Sequence, residues 1–232
     1  MNTMFLTLFR PVKAFNQLRP EPFSIMNLIM ILILMLVNLI LLIPVSEKIL
    51  QITISSMSLP QNQVDTMIQV ARKMRYLQMA GTIIMYVVMF LFYAFLLHLI
   101  TRISKSKLDY KKALQLLVCS YLIVAIGDLV NTVFIYIQGL DMIKDMYNTS
   151  LTGLNLLISV EQLGAVGYTF LSYITPFQLW FVILLSIGLK IFIDIKYVKS
   201  LVISIVFWLI TILIPVVSVY FSELTMSKTG GM

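Results

Sequence analysis

The sequence LQMAGTIIMYVVMFLFYAFLLHLI, residues 77–100, decides the class of fold. It contains no Lys, Arg, Asp or Glu, and its one histidine, His98, lies near its end. A helix rises about 1.5 Å per residue, so this stretch reaches across the roughly 30 Å hydrocarbon core of a bilayer. We therefore expect lipid to surround this part of the chain.

Four further stretches are apolar enough to be spans, at residues 24–45, 113–137, 177–193 and 201–221, and two of them contain one charged residue each, Asp128 and Lys190. Apolar residues make up 60% of the 232 residues and charged residues 12%, about half the charged fraction of a soluble domain. The chain is predicted to be an all-α polytopic membrane protein with five transmembrane helices. One membrane domain covers 24–221, between an amphipathic cytoplasmic segment at 1–23 and a short extracytoplasmic tail at 222–232.

The Lys and Arg residues of the connections predict the orientation, because cytoplasmic loops carry an excess of them. One side holds eleven of them: Arg10, Lys13, Arg19, Arg102, Lys105, Lys107, Lys111, Lys112, Lys190, Lys196 and Lys199. The other side holds six: Lys48, Arg72, Lys73, Arg75, Lys144 and Lys228. The N-terminus is predicted inside and the C-terminus outside. Arg10, Lys13 and the five basic residues within 102–112 are expected at the membrane surface, facing anionic lipid rather than nucleic acid.

Two segments have the pattern of amphipathic helices at an interface. Near the N-terminus, apolar residues recur beside Arg10 and Lys13, which is typical of a helix on the inner leaflet, although Pro11 argues against one unbroken helix. These residues are Met4, Phe5, Leu8, Phe9, Val12 and Phe15. In the first outer connection the i, i+3, i+4, i+7 pattern of Val64, Met67, Ile68, Ala71 and Met74 predicts a helix that is continuous or nearly so with the second span.

Residues 153–175 are only partly apolar and contain Gly164 and Gly167. Two interpretations are open, a short outer helix and a sixth, partly inserted segment. The first is favoured because Glu161 lies in the middle of the segment. Pro176 suits the first turn of the helix that follows.

Asp128 is the most informative polar residue in the predicted spans. A charged side chain at a helix centre costs about 2.5–3.5 kcal/mol on insertion scales, so it usually faces a partner or a water-filled cavity. Asn131 lies on the same helical face, and Gly127 permits close approach of another helix. Asp128 is either a proton or cation relay or a buried polar clamp between helices, and the clamp is favoured because no other acid lies in a span.

The sequence contains no recognisable motif for catalysis or for metal binding. The phosphate-binding loop, the HExxH pattern and the GxSxG elbow are all absent from the sequence. One histidine, His98, and one cysteine, Cys119, do not complete a zinc site. We expect no enzymatic activity, no cofactor and no bound metal.

Three stretches of the sequence form a pattern in a fixed order. The first is FRPVKAF at 9–15 with RPEP at 19–22. The second is YKKAL at 110–114 followed by CSY at 119–121 and Ile126-Gly127. The third is PFQLW at 176–180 and IGLK at 187–190, followed by Lys199 and Trp208. Together and in this order they resemble the Yip family (Ypt-interacting-protein domain) in its bacterial branch.

This resemblance implies five spans, an inner N-terminus and no catalytic site. The acidic, glycine-rich signatures of the eukaryotic branch are missing, so binding of Rab GTPases is not carried over. Bacterial relatives resemble accessory membrane proteins, some of them associated with ABC-type transporters.

The expected function is therefore that of an accessory or assembly partner of another membrane complex, with an ABC-type exporter as the expected partner, in a bacterial plasma membrane. Gly127, Asp128, Asn131, Trp180 and Gly188 are the candidate residues for helix packing or partner contact. Two alternatives stay open. One is a small transporter or channel that uses Asp128, and the other is a lipid-organising protein. A homo-oligomer is also compatible with the sequence.

Overall fold

The computed structural model describes residues 3–55, 61–139, 151–158 and 160–229. Within these residues the chain forms nine α-helices and one short 3-10 helix, Leu154–Leu157. The α-helices are α1 (Thr3–Phe9), α2 (Pro11–Leu18), α3 (Ile25–Leu41), α4 (Ile43–Ser55), α5 (Gln61–Ile103), α6 (Tyr110–Gln138), α7 (Val160–Ser172), α8 (Pro176–Ile193) and α9 (Tyr197–Thr229). Of the described helices, α5, α6, α8 and α9 are long and apolar enough to cross a membrane, and the bent pair α3–α4 makes a fifth span when it is counted as one. The predicted all-α polytopic fold is confirmed.

The helix at the first predicted span is bent. Helix α3 ends at Leu41, and α4 continues at an angle of 43° to it. Pro44 lies at this bend, and a proline removes one backbone hydrogen bond and clashes with the carbonyl group four residues before it. The predicted span over 24–45 is therefore a straight helix to Leu41 followed by a second helix with a different direction.

Helix α5 is a single helix that includes both the predicted outer helix and the second span. Its 43 residues extend about 64 Å, roughly twice the thickness of the hydrocarbon core. We call residues 61–76 the α5 arm. Arg75 in the arm donates a hydrogen bond from Nη2 to Glu47 Oε1 of α4 at 2.6 Å, and Arg72 Nε lies 3.8 Å from the same oxygen. These contacts hold α4 beside the arm.

Helix α6 lies at the centre of the bundle and contacts α1, α3, α5 and α8. Every residue from Ala113 to Ser120 is buried. The other helices also form pairs, with α9 packing against α5, α7 and α8. We call the end of the bundle that holds connections 104–109 and 194–196 the basic end. Helices α6 and α9 begin there, and α5 and α8 end there.

The N-terminal helices pack into the bundle. Chain direction changes at Arg10, and Pro11 begins α2, as the proline predicts. Met4 and Thr7 in α1 and Phe15 in α2 are completely buried. The Thr7 hydroxyl donates to the carbonyl oxygen of Met4 at 2.6 Å and also reaches, at 3.3 Å, the carbonyl oxygen of Cys119, which lies nine residues into α6. Helix α1 therefore reaches into the protein, whereas the sequence pattern predicts a helix on the leaflet surface.

The apolar face of the N-terminal segment is thus divided between two surroundings. Phe5, Phe9 and Val12 remain exposed and are available to lipid, while the buried residues face α6 and α8. The cytoplasmic location of residues 1–23 stays a prediction, and so does the orientation of both termini.

Residues 153–158 and 160–175 contain short helices, and the location of this segment outside the membrane stays a prediction. Helix α7 has 13 residues, about 20 Å, which is too short to cross the hydrocarbon core. Gly164 interrupts it with φ 68° and ψ 167°, a conformation open mainly to glycine. The 3-10 helix packs against α7, and α7 packs against α9.

Two glycines bring α6 and α8 into close contact. A Cβ atom on Gly127 would lie 2.5 Å from Phe177 Cγ, and one on Gly188 would meet Leu116 Cδ1 of α6. The two pairs run in opposite order along the chain, so the helices are antiparallel. Small residues at such crossings let backbones approach closely.

We expect Gly127→Ala to destabilise the protein by about 1–3 kcal/mol, because the added methyl group overlaps the Phe177 ring, whose base is fixed to its own helix. Thermal unfolding in detergent measures the effect. Gly81→Ala in α5 is the matched control, since no atom lies within 4 Å of a Cβ at that position. Equal melting temperatures for Gly127→Ala and Gly81→Ala would contradict the tight crossing.

Candidate functional site: an acidic cavity between α6 and α8

The carboxylate of Asp128 is exposed to a cavity of about 280 Å³. The walls come from α6, from the chain that precedes the 3-10 helix, from the end of α7 and from the first turn of α8. They are mainly polar. Besides Asp128, the polar side chains are Asn131, Thr152, Ser172, Tyr173, Thr175 and Gln178. We call this space the polar cavity.

Hydrogen bonds fix the walls of the polar cavity. Asn131 Oδ1 accepts a hydrogen bond from the backbone N–H of Leu151 at 2.7 Å, which ties the returning chain to α6. Thr175 caps α8, since its hydroxyl accepts from the N–H of Gln178 at 3.1 Å. Leu154 N–H donates to the carbonyl of Ile174 at 3.1 Å, which joins the two ends of the α7 segment.

The depth of Asp128 differs from the sequence expectation. Gly127, its neighbour, contacts Phe177, which is the second residue of α8. Asp128 therefore lies at the level where α8 begins, far from the basic end and away from the centre of the span. The charge is consequently closer to water than a carboxylate at the middle of a helix would be.

The structure does not show Asp128 as a clamp between helices. Among the residues that the structure describes, no side chain forms an ion pair or a hydrogen bond with its carboxylate. The clamp role belongs instead to Thr132, one turn further along α6. Its hydroxyl donates to Asn38 Oδ1 of α3 at 2.7 Å.

Tyr173 lies beside Asp128 in the same cavity, in the connection between α7 and α8. Burial, together with the negative charge of Asp128, raises the pKa of the Tyr173 hydroxyl. The hydroxyl of Tyr173 can therefore act as a hydrogen-bond donor to a higher pH than that of an ordinary tyrosine.

A second cavity, of about 380 Å³, adjoins the first. Tyr173 and Gln178 line both. The second cavity lies between α5, α6, α8 and α9 and is mostly apolar, with lining residues that include Met89, Tyr93, Leu117, Tyr121, Phe181, Phe207 and Ile214. Its aromatic wall is packed edge to face, with Tyr121 and Phe181 centroids 6.0 Å apart and Tyr93 and Phe207 centroids 6.1 Å apart. We call this space the apolar cavity.

The structure brings together three of the five candidate contact residues, Gly127, Asp128 and Asn131. Gly188 lies at the other end of α8 and, like Gly127, is occupied by packing within the chain. Trp180 is 38% exposed on α8 and remains accessible to lipid or to another protein.

The seven predicted surface basic residues lie at the basic end, and six of them are exposed: Arg10, Lys13, Arg102, Lys105, Lys107 and Lys111. Lys112 is different. Its ammonium donates to the carbonyl oxygens of Arg19 and Glu21 and lies 5.8 Å from the Phe192 ring centroid. It therefore joins the N-terminal segment to α6. In the described part of the chain no three His, Cys, Asp or Glu side chains are arranged to hold a metal ion.

A family model, the Yip1 domain, matches residues 5–219. The chain belongs to the Yip1 family. The match begins within α1 and ends within α9, and it includes the residues that line both cavities, so the Yip1 domain makes up nearly all of the helical body described above. No curated protein and no solved structure matches the chain. The resemblance read from the three sequence stretches is confirmed at the level of the family.

Sequence reasoning found Asp128 and Asn131 but missed Tyr173, Thr175 and Gln178, which complete the polar cavity. One signal was available. A cluster of hydroxyl and amide residues over 172–178 directly before an apolar span is unusual where lipid would be the only neighbour. This cluster lies close to Asp128 only because α6 packs against α8, and a local sequence pattern does not predict which helices pack together.

We expect Asn131→Ala to lower the free energy of unfolding by about 1–3 kcal/mol, because it leaves the Leu151 N–H without its acceptor. Asp128→Asn is the comparison and should change stability by less than about 0.5 kcal/mol, since the carboxylate forms no hydrogen bond or ion pair with the described residues. Denaturation in detergent, followed by circular dichroism, measures both variants. A large loss in Asp128→Asn with none in Asn131→Ala would show that Asp128, and not Asn131, holds the returning chain to α6.

Proposed function

We propose that this Yip1-family membrane protein is a non-enzymatic accessory subunit that binds another integral membrane protein through α5. The observation that carries the proposal is an apolar stripe on α5 that continues beyond the membrane-spanning part of the helix. The partner in this proposal is an ABC-type exporter in a bacterial plasma membrane, the class that the bacterial branch of the family suggests.

The stripe has the spacing of a helix–helix seam. Its residues alternate in steps of three and four, the a and d positions of a heptad repeat. They are Met67, Val70, Met74, Leu77, Gly81, Ile84, Val88, Leu91 and Phe95, and all of them are exposed. We call this set the α5 stripe.

Lipid does not explain the first part of the stripe. Asp65, Arg72 and Lys73 lie within the α5 arm, so this part of the helix is outside the hydrocarbon core. Met67, Val70 and Met74 in the arm are nevertheless 41–53% exposed. A row of apolar side chains that extends past the membrane boundary is typical of a surface covered by another protein.

Charge favours a partner other than a second copy of the chain. The arm carries Arg72, Lys73 and Arg75, opposed by Asp65 in the arm and Glu47 in α4. Two parallel copies would bring the basic groups of both chains together, and like charges at an interface are unfavourable. A helix with apolar residues at the same spacing and acidic residues near the membrane boundary is the complementary surface.

The rival function is a small transporter that uses Asp128, and the cavity at Asp128 favours it. Transport requires access to the site from both sides of the membrane, at least in alternation. Toward the basic end the described core is filled, with Leu116, Leu185 and Leu189 without exposed surface. Ion flux into liposomes that contain only this protein, lost in Asp128→Asn, would favour transport over the accessory function.

Met74→Glu should reduce recovery of the partner at least tenfold, because a carboxylate then lies in the apolar seam. The measurement is purification of the full chain from its native membrane after brief crosslinking, with identification of the proteins that accompany it. We expect an ABC-type ATPase or permease subunit with the unchanged chain.

Gln69→Glu is the matched control, since it adds the same charge on the same arm but away from the stripe, and partner recovery should be unchanged. A homo-oligomer without another subunit, or equal recovery with both variants, would overturn the proposal.

A further inference from the structure

The two cavities together have the character of a site for one elongated molecule. They adjoin at Tyr173 and Gln178, and their volumes of about 280 and 380 Å³ together lie in the range of ligand sites in proteins, roughly 300–1,000 Å³. Among the described residues that line them, Asp128 is the one side chain with a formal charge. One chamber therefore offers a carboxylate among hydroxyl and amide groups, and the other offers aromatic and aliphatic walls.

We propose that the cavities bind an amphiphilic ammonium compound, with its positively charged nitrogen at Asp128 and its alkyl chain in the apolar cavity. The carboxylate supplies the opposite charge, and the rings of Tyr173 and Phe177 in the polar cavity supply faces that attract a cation. Thr175, Gln178 and Ser172 provide further oxygen acceptors for N–H groups. The alkyl chain extends from the Tyr173–Gln178 junction toward Leu117.

The lining distinguishes this ligand from two other molecules with positive charge. A divalent cation prefers six or more oxygen ligands and usually several carboxylates, whereas the described cavity holds one. An ammonium phospholipid also carries a phosphate, and no Lys, Arg or His among the described lining residues is present to bind it. The chemistry therefore fits a long-chain amine or quaternary ammonium without an anionic group.

The depth of the site along the bundle also suits an amphiphilic ammonium compound. Asp128 lies where α8 begins, and the apolar cavity extends from there toward Tyr93 and Leu117 in the interior of the bundle. A charged group near the membrane boundary and a chain pointing inward is the arrangement that an amphiphile also has in the bilayer. The ligand thus enters without reversing its orientation. This inference is independent of the α5 stripe, which lies on an outer face of α5.

The test uses the full chain in an uncharged maltoside detergent, with dodecylamine as the probe and thermal unfolding and tryptophan fluorescence as readouts. Trp208 adjoins Phe207 of the apolar cavity, and Trp180 lies two residues from Gln178. We expect saturable binding by the unchanged protein and binding at least tenfold weaker in Asp128→Asn. Dodecanol, which has the same chain without the charge, should bind at least tenfold more weakly than dodecylamine, and so should tetramethylammonium, which has the charge without the chain.

Asp109→Asn is the matched control variant. It removes one carboxylate at the basic end, and asparagine caps helices about as well as aspartate, so α6 keeps its N-cap. Its dodecylamine binding should equal that of the unchanged chain. Equal binding by Asp128→Asn, full competition by tetramethylammonium or calcium, or equal competition by phosphatidylethanolamine would each overturn the proposal.

Discussion

The antiparallel contact of α6 with α8 is the constraint on which the rest of the structure depends. Gly127 and Gly188 mark its two ends, and at both positions a side chain of the facing helix occupies the space of a Cβ atom. This contact fixes the register of the two helices, so it also fixes which residues share a level in the membrane. Asp128 meets the polar residues at the start of α8 because of that register, and the leucines near Gly188 fill the other end.

The lengths and apolar character of the spans could be predicted from sequence because they answer to one simple requirement. Backbone groups in hydrocarbon must bond within their own segment, so long uncharged stretches become helices. Continuity of α5 across its charged arm was also predictable, since the helical pattern around Met67 and Met74 continues into the span. Pro44 is the sequence feature that indicates the bend in the first span, but residues 24–45 were predicted as one span without a bend.

Two features lay beyond sequence reasoning for the same physical reason. An apolar helical face has the same sequence pattern whether lipid or protein covers it. The pattern therefore does not show that Met4 and Phe15 are buried in the protein while Phe9 and Val12 are exposed. Likewise, the position of Asp128 within its own helix does not give its depth, because α6 extends past the start of α8. The match to the Yip1 family extends over nearly all of the helical body, while the α5 stripe and the two cavities are read from the arrangement of this chain's own residues.

The insertion of α1 into the bundle has a consequence for biosynthesis. Its hydrogen bond from Thr7 reaches Cys119, a residue 112 positions later in the chain. The ribosome therefore completes α1 long before α6 emerges to receive it, and Met4 and Phe15 have no protein surface to cover them in the interval. Until α6 has been synthesised, this segment must be bound at the lipid headgroups or by a chaperone. Its docking is therefore a late event in the assembly of the membrane domain.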